Sequence, residues 1–258
     1  MPEFQLLSKA QHADLKIRPR TSFIDVVDPI LPLTMAELVH AFEFPLAFAD
    51  VAGTTTLVAL CGFQPGQNLY VAPDGKWLGN YVPAIIRQLP FAVLHDNEKD
   101  EQRVCIDVAN PQINRLEGAA LFEADGNPAP TLAATIEFLR ALEQNRAQTS
   151  NAVALLKNYG LLAPWPIKLR DPSGKETNLD GLQQFIAEKL EALDEGAFGE
   201  LRRTGALLAA YAQFLAQRRL QGLSALQNLQ AQLRKAANPS GFVIAGDQSS
   251  PFGAELHF

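Results

Sequence analysis

The chain of 258 residues has few of the residues from which metal and thiol sites are built, with two cysteines and four histidines. It contains no Cys-x-x-Cys pair and no Cys/His cluster, so the sequence predicts no metal site. Cys61 and Cys105 each stand in an apolar, strand-like stretch, which favours two buried free thiols. A disulfide between neighbouring strands is the alternative, and the sequence spacing does not decide whether the two cysteines lie close together.

A large excess of positive charge is also missing, since 22 Lys and Arg stand against 28 Asp and Glu, a net charge of −6. Nucleic-acid-binding proteins normally carry a basic surface, so we expect no nucleic-acid partner. No apolar run approaches the roughly 20 residues that cross a bilayer, which predicts no transmembrane segment. The N-terminal residues lack the apolar core of a Sec signal peptide. We therefore expect a cytoplasmic protein, with export by a non-Sec route left open.

Standard motifs of several enzyme classes are absent from the sequence. There is no G-x-S-x-G, G-x-x-x-x-G-K-[ST], H-E-x-x-H or G-x-G-x-x-G pattern. These absences disfavour a standard serine hydrolase, P-loop NTPase, zincin or Rossmann dehydrogenase, and we expect no cofactor. Whether the protein is an enzyme stays open at this point.

The sequence changes character near residue 130. Before it, short apolar runs alternate with turn residues, and 91–96 is expected to pair with 103–108 through a charged tip. After it, apolar residues recur at helical spacing. We predict an α+β fold with a mixed or antiparallel, strand-rich N-terminal half containing hairpins (1–130). A helical C-terminal half with a late hairpin (131–258) follows, and the two halves are expected to form one integrated domain.

The helical half is expected to hold a helix from Thr131, a second from Ser150 to Tyr159, and long helices over 197–217 and 219–236. The last two carry leucine-rich stripes that either close a core or meet another chain, so a protein partner or a homodimer through these helices is predicted. The other faces of these two helices carry Gln217, Gln221, Gln227, Gln230 and Gln232. Glu143 on the first helix is assigned to solvent. The tail after residue 237 is interpreted as a docked edge strand or a loose end.

The densest group of candidate binding residues lies between Trp77 and Phe91. Trp77, Tyr81 and Phe91 supply large apolar surfaces, and Arg87 presents a planar fork of donors to an anion. Together they predict a pocket for a small molecule or peptide with one anionic group. Packing of an aromatic hairpin on its own helix is the alternative that the pattern leaves open.

Asp107 is a further candidate because it stands between apolar residues in the run Cys105–Val108. A carboxylate in such surroundings needs a partner, and Arg87 or Arg115 would serve. A structural ion pair and a ligand-binding or catalytic carboxylate are both consistent with this position. We include Asp107 in the predicted ligand-binding set.

Several segments in combination resemble the SapC family, which is distinct from the peptide-permease subunit of the same name. They are GFQPGQNLYV (62–71), DGKW (74–77), YVPAIIRQLPF (81–91), CID (105–107), LFEADG (121–126) and ELRRTGALLAAYA (200–212). The resemblance spans about residues 30–229 and implies a role in bacterial surface-layer secretion or assembly. Other family members are encoded near TonB-dependent receptors and flavin-dependent halogenase-like enzymes, which implies handling of a peptide or another small molecule.

The resemblance supplies no set of catalytic residues. The leading hypothesis is therefore an accessory protein of surface-layer or outer-membrane transport systems that binds a partner or ligand. The alternative is a small-molecule or peptide-handling enzyme with a pocket around Trp77, Tyr81, Arg87 and Asp107.

Overall fold

The computed structural model describes residues 3–96, 101–170 and 176–237. The strands are β1 (Phe4–Leu6), β2 (Lys16–Ile17), β3 (Ile30–Pro32), β4 (Leu46–Val51), β5 (Thr54–Leu60), β6 (Phe91–Asp96), β7 (Glu101–Asp107), β8 (Ile113–Asn114), β9 (Ala119–Ala120), β10 (Leu162–Pro164), β11 (Ile167–Arg170), β12 (Glu176–Leu179) and β13 (Leu182–Phe185). The helices are α1 (Lys9–His12), α2 (Ala84–Arg87), α3 (Pro130–Asn158), α4 (Glu195–Arg203), α5 (Ala206–Ala216) and α6 (Leu220–Ala237), with 3-10 helices at Met35–Glu43, Ala187–Ala192 and Gln217–Arg219. The predicted α+β fold, strand-rich first and helical afterwards, is confirmed.

The main core is built on a five-stranded antiparallel sheet in the order β10-β13-β4-β5-β3. Its central strands β4 and β5 are apolar on both faces, and Phe48 and Leu57 pair across them with no exposed surface. The late hairpin predicted in the C-terminal half is confirmed, because β10 pairs with β13 and β11 with β12. Burial of these strands by helices explains their near-continuous hydrophobic runs.

A smaller core forms against the three-stranded sheet β1-β7-β6. The predicted pairing of 91–96 with 103–108 is confirmed, with Phe91 opposite Ile106. Both side chains are almost fully buried, and Leu132 and Leu139 of α3 cover them. Residues 97–100, which contain most of the predicted charged tip, lie outside the described residues.

Helix α3 joins the two cores. The prediction of two helices here is wrong, because the chain is continuously helical from Pro130 to Asn158. Leu139 packs in the smaller core and Leu156 in the main core, so burial at both ends favours one long helix. Pro130 occupies the first helical turn, where its missing N–H leaves no helical hydrogen bond unmade. The assignment of Glu143 to solvent is also wrong, since this side chain is buried and contacts Arg146 and His95.

The C-terminal helices differ from the prediction in which side chains face inward. The predicted helix over 197–217 is divided into α4 and α5 at Gly205, which has a positive φ of 77°. The buried face of α5 consists of Ala206, Ala209, Ala210, Gln213 and Ala216. Small alanines let α5 approach its neighbours closely, and the larger apolar residues of the predicted stripe, such as Leu208 and Leu215, face outward. In α6, Leu223 is buried as predicted for a core stripe.

Two glutamines of the C-terminal helices are buried: Gln230, on the face that the prediction sets opposite the leucines, and Gln213, for which no prediction was made. Gln230 lies within α6 and donates from Nε2 to the carbonyl oxygens of Leu69 and Val71. Gln213 is fully buried in α5 and bonds to two strands of the main sheet. Buried amides are stable where their hydrogen bonds are satisfied, which explains both positions.

Replacement of Gly205 by Ala should lower the free energy of unfolding by about 1 kcal/mol, because L residues are strained at positive φ. An added Cβ would meet the Met35 sulfur at 3.4 Å, an ordinary contact, so backbone strain accounts for the loss. The matched control is Gly222→Ala in α6, where the new Cβ would have nothing within 4 Å. That change should stabilise the protein by about 0.5 kcal/mol. Urea denaturation measures both, and equal effects of the same sign would contradict this account.

Both cysteines are buried free thiols, as predicted. Burial raises the pKa of the Cys61 thiol far above its ordinary value. Across the described ranges, no helix combines the length and the apolar character needed to span a membrane. The tail after residue 237, with the edge strand or loose end predicted there, lies outside the part of the chain that the structure describes.

Candidate functional site

A buried carboxylate, Glu37, holds the start of the 3-10 helix Met35–Glu43 against α2. Its Oε2 accepts hydrogen bonds from the N–H and the hydroxyl of Thr34, at 2.9 and 3.0 Å. Its Oε1 accepts from the Tyr81 hydroxyl at 2.9 Å and from the Ala84 N–H at 2.7 Å. Thr34 and Glu37 thus form a capping box, and Glu37 also fixes the segment that leads into α2.

Arg87, the predicted anchor for an anionic group, is linked to Glu37 through Tyr81. Its guanidinium donates to the Tyr81 hydroxyl oxygen and to the Val82 carbonyl oxygen, each at 2.9 Å. Burial and the nearby Glu37 carboxylate raise the pKa of Tyr81 to about 12, although Arg87 acts in the opposite direction. The phenol is therefore neutral at physiological pH, so that it donates to Glu37 while it accepts from Arg87.

Trp77 lies behind this hydrogen-bonded chain. Its ring packs against Tyr70 and Phe23, with ring centroids 5.5 and 5.7 Å apart. Its indole N–H donates to the Tyr81 carbonyl oxygen at 2.8 Å. Trp77 thus positions the backbone of Tyr81 from within an aromatic cluster, in agreement with the packing alternative that the sequence left open.

Arg87 and Phe91 border a concave surface of about 710 Å³, which we call the Arg87 groove. Its lining residues are Ile17, Arg18, Pro19, Arg87, Leu89, Phe91, Gln112, Ala119, Thr131, Ala134, Thr135 and Phe138. One wall is the first half of α3, and the Arg87 guanidinium lies 5.1 Å from the centre of the Phe138 ring. The opposite wall comes from β2 and β9, which pair with each other. The floor is the apolar surface of the smaller core at Phe91.

The Arg87 groove is electropositive. Arg18 and Arg87 are its charged lining residues, and both are exposed. Arg87 uses guanidinium donors for Tyr81 and Val82, which leaves further N–H groups for an anion, since a guanidinium carries five. Arg18 is 3.7 Å from Glu117, but both side chains are largely exposed, so this ion pair is weak.

Gln112 also lines the groove. Its Oε1 atom is buried and has no hydrogen-bond partner among the described residues. Its Nε2 atom donates to the Arg18 carbonyl oxygen at 3.3 Å, which fixes the orientation of the amide because a flipped amide would set two oxygens against each other. A buried acceptor without a donor is unfavourable. Because this oxygen has almost no accessible surface, it is not a contact point for a molecule in the groove.

Asp107 is buried, but its recorded partners are backbone groups. Its Oδ1 accepts from the Glu3 N–H at 2.7 Å and the Ala109 N–H at 3.2 Å, which ties β1 to the end of β7. Arg115, one of the two predicted partners, pairs instead with Asp14. The structure therefore brings Arg87 and Phe91 together in the groove, places Trp77 and Tyr81 behind Arg87, and leaves Asp107 outside the lining residues.

Sequence reasoning did not identify Arg18, Gln112 or Phe138 as site residues. Arg18 and Gln112 come from loop segments distant in sequence, and no local pattern marks them. Phe138 does carry a signal, because Thr131, Thr135 and Phe138 recur at helical spacing on a face adjacent to the predicted leucine stripe. A second face with one large apolar residue among small ones indicates a helix that lines a groove.

The predicted partner surface on the C-terminal helices is exposed in the single chain. Leu208, Tyr211, Phe214 and Leu215 project from α5 with 45 to 60% of their surface accessible. Isolated exposed apolar residues are common, and several on one helix are typical of an interaction surface. Contact with a partner or a second copy through this surface stays a prediction.

Comparison with models of protein families shows that residues 7–223 of this chain match the SapC family. This match covers most of the chain, so the protein is a member of the SapC family. Comparison with curated proteins and with solved structures found no match.

Proposed function

We propose that this SapC family member is a cytoplasmic accessory protein of surface-layer or outer-membrane transport systems that acts by binding a small molecule or peptide in the Arg87 groove. The observation that carries the proposal is the combination of two exposed arginines and an apolar floor in one concave surface. Family membership and the role that the resemblance implies support the biological setting.

The residues of the groove favour binding over catalysis. None of the described residues that line it carries a carboxylate, an imidazole or a thiol. These groups supply most general acids, bases and nucleophiles in enzymes. Arginine, glutamine and threonine are instead well suited to fix the orientation of a bound molecule.

The ligand should match each group of the groove in turn. A carboxylate or similar anion fits Arg87 and Arg18, because a guanidinium binds such groups with paired donors. An apolar side chain fits the surface between Phe91 and Phe138, which gives a peptide or acylated amino acid with a free carboxylate as the expected class.

N-acetylphenylalanine has both a carboxylate and an apolar side chain, and it should bind the protein more tightly than N-acetylphenylalaninamide, in which the charge is removed. Hydrogen bonds to charged groups contribute about 1.5–3 kcal/mol, so the difference in affinity should be roughly 10- to 100-fold. Isothermal titration calorimetry at low salt measures both ligands. Equal affinities, or no binding of either, would count against the proposed anionic ligand.

Substitution of Arg87 by Gln should remove most of this preference for the carboxylate. The matched control is Arg140→Gln, because Arg140 is exposed on α3, pairs with Glu137 and does not line the groove. The control should bind N-acetylphenylalanine like the unmodified protein, and both variants should keep the far-UV circular dichroism of the parent. A preference that survives in Arg87→Gln would show that the anion binds elsewhere.

A further inference from the structure

A second cavity, separate from the Arg87 groove, has a volume of about 230 Å³ and includes Ile85 of α2 in its wall. We call it the Ile85 cavity, and its wall includes Leu33, Glu37, Ile85, Arg146, Ser150 and Val153. It shares no lining residue with the groove. Most of its wall is hydrocarbon, and Leu33 and Val153 are buried. An apolar protein cavity of roughly 150 Å³ binds benzene, so this one has room for a somewhat larger molecule.

The two charged side chains on the wall already have partners within the protein. Glu37 accepts four hydrogen bonds, two on each oxygen. Arg146 pairs with Glu143 and donates from NH2 to the Gln88 side-chain oxygen at 2.8 Å. A charged ligand would place an uncompensated charge in a mostly apolar space, which is unfavourable. The guanidinium has five N–H groups, and its contacts in the described structure leave donors for one further acceptor.

We infer that the Ile85 cavity binds an uncharged, mostly hydrocarbon molecule with one carbonyl or hydroxyl oxygen that accepts from Arg146. Its size suits a single ring or a medium-length alkyl chain. The hydrocarbon part contacts Leu33, Ile85 and Val153, and the oxygen faces the polar side of the wall. This ligand class differs from the anionic ligand proposed for the Arg87 groove, so either site can be disproved without the other.

A series of straight-chain methyl ketones from 2-pentanone to 2-undecanone tests the inference by calorimetric titration of the full chain. Each added methylene should strengthen binding by about fourfold, from about 0.8 kcal/mol per buried group, until the cavity is filled. The affinity should then level off before the longest ketone. Absence of binding would overturn the inference. So would an affinity that keeps rising up to 2-undecanone, because that would indicate nonspecific partitioning onto apolar surface instead of a cavity of fixed size.

Two substitutions test whether the ketones bind in the Ile85 cavity. Ile85→Trp fills it from a partly exposed position, and Ser150→Trp covers its rim from an exposed position on α3 that tolerates a large side chain. Each should weaken binding of the optimal ketone at least tenfold. Val39→Trp is the control, since Val39 is 81% exposed and does not line the cavity. If Ile85→Trp fails to fold, Ser150→Trp decides, and unchanged ketone affinity in that folded variant would overturn the inference.

Discussion

Replacement of Glu37 by Leu is expected to lower the free energy of unfolding by about 3–5 kcal/mol. The carboxylate accepts from two buried N–H groups, those of Thr34 and Ala84, and from two hydroxyls. Leu has no acceptor, and each buried donor without a partner costs about 1–3 kcal/mol. The free energy of unfolding in urea measures the effect.

The conservative variant and a surface control make this result specific. Glu37→Gln keeps one acceptor oxygen and should lose less, about 1–2 kcal/mol. Glu137→Leu removes an exposed carboxylate on α3 and should change stability by less than about 0.5 kcal/mol. If Glu37→Leu were as stable as the parent, the buried carboxylate would not be what holds α2 in place.

Replacement of Gln213 by Leu should be nearly as damaging, with a loss of about 2–4 kcal/mol. The Gln213 side chain has no exposed surface. Its Oε1 accepts from the Phe185 N–H at 2.9 Å, and its Nε2 donates to the Leu46 carbonyl oxygen at 3.3 Å. Leu has a similar size but would leave both backbone groups without a partner between α5 and the main sheet.

Gln221→Leu is the matched control for this second prediction, because Gln221 is exposed on α6. It should lie within about 0.5 kcal/mol of the parent. Thermal unfolding followed by circular dichroism distinguishes the two variants. A Gln213→Leu protein with unchanged stability would mean that the two backbone groups find other partners.

The strand-rich half could be predicted well because its signals are local. Turn residues and apolar runs in 91–108 define both strands of a hairpin, and the observed register joins Phe91 to Ile106. The inward face of α5 could not be predicted in the same way. Hydrophobicity predicts that Leu208 and Leu215 face the core, but the buried face of α5 consists mainly of alanines, which allow close packing. Hydrogen bonds to backbone groups stabilise Gln213 in the core. Such effects depend on distant strands that the helix sequence does not reveal.

The part of the candidate site that comes from a single segment of the sequence could be predicted. Arg87 and Phe91 stand four residues apart in sequence, and both line the groove. Asp107 has the buried character that the sequence indicates, but its partners are backbone N–H groups that no side-chain pattern can show. Arg18 and Gln112 reach the groove through tertiary contacts, so their role follows only from the fold.

The measurement that tests the central claim most directly is a map of backbone amide NMR shifts on addition of N-acetylphenylalanine. Three distant segments meet at the groove, and the largest shifts should occur at Arg18, at 87–91 and at 131–138. The Arg87→Gln variant should show much smaller shifts at the same ligand concentration. Shifts concentrated on the outer face of α5, with none in the three segments, would contradict the assignment of the Arg87 groove as the ligand site.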